Sequence, residues 1–182
     1  MSEHSLEAIC DRFRSGARLK FLFFWGHETS RVGHVGKECL SQWYPAAFTV
    51  DGLRFPTAEH FMMYRKAMLF GDEKAAADIL RAPSPGAAKA LGRSVHGFDQ
   101  QVWETQRSDI VVAGNLAKFS QSANLREFLV ATEKRVLVEA SPVDRIWGVG
   151  LAADDEHIEN PLHWRGLNLL GFALMDVRVR LV

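Results

Sequence analysis

The sequence predicts a helix-rich α+β single domain, and three observations carry that expectation. Apolar runs that suit buried strands are few and short, and they do not alternate with helices in the βαβ rhythm of a parallel sheet. Segments with helical spacing recur along the chain, several of them opened by a Ser, Thr or Asp that can cap a helix. With 182 residues, 47% of them hydrophobic and 24% charged, the chain can bury one sizeable core without metals or disulfides.

In chain order, residues 1–20 are polar with scattered apolar positions and read as an N-terminal extension, a loosely attached helix outside a domain spanning 21–182. Residues 21–25 are an unbroken apolar run of strand length, and 26–40, with three glycines and two histidines, reads as a loop over one face. Two β-prone runs, 46–50 and 53–55, flank Asp51-Gly52, a two-residue turn signal that predicts a hairpin. Thr57 caps a helix to about residue 70, closed by Gly71. The capping box is incomplete, because His60 stands where Glu or Gln would sit and Glu59 comes one position early. Further helices are expected over 72–81, from Ser84-Pro85, and from Asp99 through Phe119, where Gly114 suggests close packing. Another begins at Asn124, a strand covers 135–139, a run of turns fills 141–166, and 168–182 closes the chain as a helix. The tally is about six helices and four or five short strands.

Charge and cysteine content exclude several classes. Lys and Arg number 22, as do Asp and Glu, so there is no basic excess to grip a nucleic acid backbone, although a small nucleotide site is compatible with this balance. Cys10 and Cys39 cannot build a disulfide framework or a Cys-rich zinc module, which points to a reducing compartment, the cytoplasm by expectation. The five-residue apolar run is far short of a membrane span or signal peptide. His27, His34 and Cys39 match no zinc spacing, and the acidic stretch at 154–159 lacks the alternation of a calcium loop, so no metal is expected. There is no GxSxG elbow.

Three segments pair ionisable and aromatic residues beyond what a core requires. On the 57–70 helix, Glu59, Met62, Met63 and Lys66 fall at i, i+3, i+4 and i+7, placing a carboxylate and an amine on one apolar stripe. The bland alternative is an amphipathic helix in which Glu59 complements the macrodipole and Lys66 reaches solvent by its stem. Around 139–150, Asp144 precedes Trp147 and the open backbone of Gly148 and Gly150, which suits a carboxylate beside a flat stacking surface. An Asx-type turn beside a core tryptophan reads equally well. At 164–171, Arg165, Gly166 and Asn168 lead into a helix whose first amides could hold an anion.

Taken together, these segments resemble the YbiA-like, or NADAR, family. The stretches that carry the resemblance are Leu40-Ser41-Gln42-Trp43-Tyr44-Pro45, Thr57 through Ala67, Leu91-Gly92-Arg93, Val102-Trp103, Lys118-Phe119, Leu137 through Pro142, Trp147-Gly148 and Asn168 through Gly171, in order across roughly residues 22–182. The resemblance implies an N-glycosidase acting on a ribosyl C–N bond; no cofactor and a monomeric chain are expected. Family substrates include ADP-ribose attached to guanine bases and phosphoribosylamino-pyrimidine intermediates of riboflavin synthesis, and ADP-ribosylated DNA or RNA is an expected partner of this chain. A module that binds NAD or ADP-ribose without turnover is a third reading. By position the resemblance implies Glu59, Lys66 and Asp144 as catalytic residues and Trp103 and Trp147 as pocket walls. Gly148, Arg93, Arg165 and Asn168 are further expected substrate contacts, the arginines facing phosphate. The sequence departs from the family at Gln42-Trp43, which stand in place of Asn-Phe.

Overall fold

A computed structural model of the chain describes residues 4–28 and 34–182. Part of the loop expected over 26–40 therefore lies outside the described residues. Seven α-helices and four short strands are present among the described residues, matching the helix-rich α+β expectation. The seventh helix is the N-terminal one, α1 (Leu6–Arg14), capped by Ser5. It is not loosely attached: Ile9 is completely buried in the core and Cys10 donates to the Pro161 carbonyl.

Strand β1 (Phe21–Phe24) ends one residue short of the expected Trp25 and pairs in parallel with β4 (Val136–Glu139), Phe24 lying opposite Glu139. Strands β2 (Phe48–Val50) and β3 (Leu53–Phe55) form the expected hairpin. Both of its turn residues are left-handed, Asp51 at φ 51° and Gly52 at φ 77°, as a type I′ turn requires. Helix α2 (Ala58–Leu69) follows at once. Its Thr57 cap accepts from the His60 amide, and the His60 ring returns to the Thr57 hydroxyl at 2.8 Å, a bond to the cap's side chain where a capping-box glutamate would have reached the cap's backbone N–H.

Helices α3 (Glu73–Leu80) and α4 (Pro85–Arg93) pack on α2. The long α5 (Gln100–Ser120) crosses α2 and lies along α7 (Leu169–Leu181), with α6 (Ala123–Val130) beside them. A side chain at Gly114 of α5 would run into the ring of Phe61, so the close packing expected there is what brings α5 onto α2. Helix α7 also covers β4, and a Cβ at Gly171 would collide with the Leu137 carbonyl. The ends of β1 and β4, the start of α2 and the first turn of α7 thus meet on one side of the core.

Candidate active site

At that meeting point is a cavity of about 270 Å³. Its floor comes from one stripe of α2: Glu59, Met62, Met63 and Lys66, the four positions that helical spacing sets in line, all face it. Gly92 and Arg93 at the end of α4, with Lys89 one turn earlier, form a second wall. A side chain at Gly92 would strike Met63, which lets α4 approach α2 closely enough to bring Lys89 and Arg93 to the site. Trp103 from the first turn of α5 closes one end. Glu139 at the end of β4, Asp144 and Trp147 complete the enclosure.

The carboxylates sit in unequal surroundings. Glu59 is 2% exposed, and burial pushes its acid up to about 7, against the opposing pull of Lys89 and of a hydrogen bond from the Trp43 side chain. Glu139 is pushed up to about 8, first by burial and then by the charges of Asp144 and Glu59, with Lys89 opposing. Among the described residues, Glu59 Oε1 and Glu139 Oε2 are buried without a hydrogen-bond partner. Two orphaned carboxyl oxygens in one cavity are costly to the fold alone, and a bound ligand or water that supplies donors offsets that cost. Asp144 is held differently: its Oδ1 accepts from the amides of Ile146 and Trp147, both at 2.8 Å. The Asx turn and the cavity-facing carboxylate, posed as alternatives by the sequence, are therefore both true of Asp144.

Lys66 is half-buried. Its Nζ donates to the Gly92 carbonyl at 2.8 Å and stands 4.3 Å from the Phe98 ring centre and 5.5 Å from that of Trp103. Burial lowers the pKa of this amine. The cavity therefore brings together Glu59, Lys66, Asp144, Trp103, Trp147 and Arg93, six of the nine residues expected at the site.

Three expected contacts lie elsewhere. The Arg165 side chain is exposed and outside the cavity lining. Gly148 is buried against the Glu139 and Asp144 carbonyls, so its lack of a side chain serves packing of the turn rather than approach of a ligand. Asn168 is completely buried at φ 54°, where its Oδ1 accepts from the Glu139 amide and its Nδ2 donates to the Leu137 carbonyl. It pins the end of β4 to the start of α7 and so positions Glu139. The anion site expected at this helix entry is corrected for the same reason: the amides of Arg165, Leu167, Asn168, Leu169 and Leu170 all donate to carbonyls of 145–149.

Three more residues, Glu139, Lys89 and Trp43, line the cavity without being expected there as substrate contacts. Glu139 was visible only as the polar end of an apolar strand, and Lys89 as one charge on a short helix. Trp43 reaches the cavity from the segment after a 3-10 turn (Lys37–Leu40). That segment is held from beneath by the buried Lys118, whose Nζ donates to the Cys39 carbonyl at 2.7 Å and the Ser41 carbonyl at 2.9 Å. Gln42 donates to Asn115 and its carbonyl accepts from the Glu59 amide, tying this segment to the head of α2. Among the described residues no group of three or more His, Cys, Asp or Glu is arranged to hold a metal, and no helix is long and apolar enough to cross a membrane.

Other proteins are similar to this chain in sequence and fold. The chain is 39% identical to an N-glycosidase of Acanthamoeba polyphaga mimivirus over 165 residues, covering 87% of this chain and 95% of that protein. It is 36% identical to N-glycosidase YbiA of Escherichia coli over 164 residues, 83% of this chain and 94% of the relative. The NMR structure of Escherichia coli YbiA superposes with a TM-score of 0.71 at 30% identity, covering 89% of this chain and 84% of that one. The NADAR domain matches residues 23–182, from within β1 to the end of α7, and the chain belongs to that family.

Proposed function

We propose that the chain is an N-glycosidase that hydrolyses the ribosyl C–N bond of ADP-ribosylated guanine, releasing ADP-ribose and the unmodified base. Membership of a family whose relatives are named N-glycosidases supports the reaction class. One observation carries the chemistry: three carboxylic acids, two amines and three indoles line a single cavity.

Cleavage of an N-riboside passes through an oxocarbenium-like state in which positive charge grows on the sugar while the departing nitrogen needs a proton. Glu139, held protonated near neutral pH, is suited to give that proton. Glu59 and Asp144 as carboxylates stabilise the sugar cation and draw the proton from an attacking water. The water oxygen bonds to the anomeric carbon, its proton passes to Glu59, and the glycosidic electron pair leaves with the base nitrogen. Arg93, Lys89 and Lys66 supply positive charge for the diphosphate, and Trp103 and Trp147 wall the sugar.

Lys66 supports a second route, favoured by its partly desolvated amine. The ε-amine adds to the anomeric carbon as the base leaves and the ribose ring opens, giving an imine that water then hydrolyses. Borohydride added during turnover leaves a reduced sugar adduct on Lys66 if this route operates, and a trapped, competent reaction with no adduct selects direct water attack. A substrate panel tests the assignment itself. ADP-ribosyl-guanosine is expected to be cleaved with higher kcat/KM than a phosphoribosylamino-pyrimidine; the reverse order would move the chain to the riboflavin-type substrate, and no turnover of either would leave a binding module.

A further inference from the structure

The cavity is one of two adjoining chambers. A second hollow of about 400 Å³ opens beside it, and the two share Ser41, Trp43, Lys89, Glu139 and Asp144 as a common wall. The inner chamber alone holds Glu59, Lys66 and Arg93, whereas the outer one adds Trp25, His27 and Val143. Their characters differ accordingly. Among the described residues, the inner chamber is lined by Lys66, Lys89 and Arg93, and of these only Lys89 also lines the outer. The outer chamber is instead aromatic: the His27 and Trp43 rings lie 5.6 Å apart, and Trp25 stands 59% exposed.

That exposure follows from the strand's ending. Pairing of β1 with β4 stops at Phe24, and Gly26 turns the chain at φ 82°, so Trp25 leaves the apolar run it belongs to in sequence and presents its indole at the chamber. A large exposed aromatic beside a polar cleft suits a flat ligand. Since Glu139 and Asp144 form part of the divide, a bond broken between them has the anionic, cation-seeking part of the substrate on the inner side and its flat neutral part on the outer side.

We propose that the outer chamber is the leaving-base subsite, where a purine nucleoside with one face free of stacked neighbours stacks on Trp25 and Trp43 while the sugar diphosphate fills the inner chamber. This rests on the N-ribosidase reading given above. Trp43 at the divide and Trp25 at the rim then set base selectivity, and a base stacked within an intact duplex is not admitted.

The test uses two probes, guanosine and ADP-ribose, measured separately by calorimetry on the full chain and on Trp25→Ala and Trp25→Phe. Because Trp25 is largely exposed, neither substitution threatens the core. Trp25→Ala is expected to weaken guanosine by about tenfold to a hundredfold, the span of one lost base–aromatic stack. Trp25→Phe restores most of that loss, and ADP-ribose affinity stays unchanged in both. Guanosine affinity that is undetectable in the unaltered chain, indifferent to Trp25→Ala, or lost together with ADP-ribose overturns the subsite. Turnover separates this inference from the reading beneath it: selective loss of guanosine with no cleavage of ADP-ribosyl-guanosine keeps the subsite and removes the reaction, whereas cleavage with equal kcat/KM in Trp25→Ala does the reverse.

Discussion

Burial raises both Glu59 and Glu139, to about 7 and about 8, with the charge of Glu59 adding to the cost of ionising Glu139, so that between those values the two together hold roughly one proton. One protonated acid beside one carboxylate is what N-riboside hydrolysis needs, so kcat/KM is expected to rise with an apparent pKa near 7 and fall with one near 8. A pH–rate profile checks this. In Glu139→Gln the alkaline limb is expected to vanish and kcat to fall about 10²–10⁴-fold, the usual worth of general acid catalysis. The same protons affect stability. The folded chain keeps on Glu59 and Glu139 protons that the unfolded chain releases above about pH 4.5, so this contribution is present in full below that value and lost as pH rises through 7 and 8. Urea unfolding of Glu139→Gln is therefore expected to match the parent at pH 4 and to show a higher midpoint at pH 9. Equal midpoints at pH 9 would mean that burial of this carboxylate costs the fold little.

Among the elements, the segment bearing Gln42 and Trp43 depends most on a single side chain. Lys118 is buried, its pKa lowered to about 7 by desolvation, and its two bonds to the Cys39 and Ser41 carbonyls fix the chain just before Trp43. Lys118→Met leaves those carbonyls without their donor and is expected to cost about 1–3 kcal/mol, measured by chemical denaturation, with a rise in KM as Trp43 loses its seat. Gly92→Ala drives a methyl group into Met63 and is expected to cost about 1–3 kcal/mol as α4 is forced away from α2. The helices themselves were readable in the sequence because their signals are local: Thr57, Asp72, Ser84 and Asp99 each cap through their own side chain, and Asp51-Gly52 turns the hairpin. The loose attachment expected of the first helix fails because the burial of Ile9 depends on partners distant in sequence. Trp25 belongs to the strand by sequence but lies beyond it in the structure, because an apolar run does not show where pairing ends.

At the scale of the whole molecule, the site is assembled from the 3-10 turn region, α2, α4, α5, β4 and the turn after it, and no local pattern announces such a convergence. The stripe of Glu59, Met62, Met63 and Lys66 was legible because one helix carries all four. Glu139 and Lys89 were not, since only the pairing of β4 with β1 and the packing of α4 on α2 bring them in. Arg165 and Asn168 show the converse: near the site in sequence, they are spent on the surface and on holding β4 to α7. The central claim is that the inner chamber breaks an N-ribosyl bond with its buried acids. The most direct test is to follow ADP-ribosyl-guanosine by chromatography with the parent, Glu59→Gln and Glu139→Gln, after calorimetry has established that all three bind ADP-ribose alike. The account predicts equimolar ADP-ribose and guanosine from the parent and at least a hundredfold slower release from each variant; release at the parent's rate from both variants would contradict it.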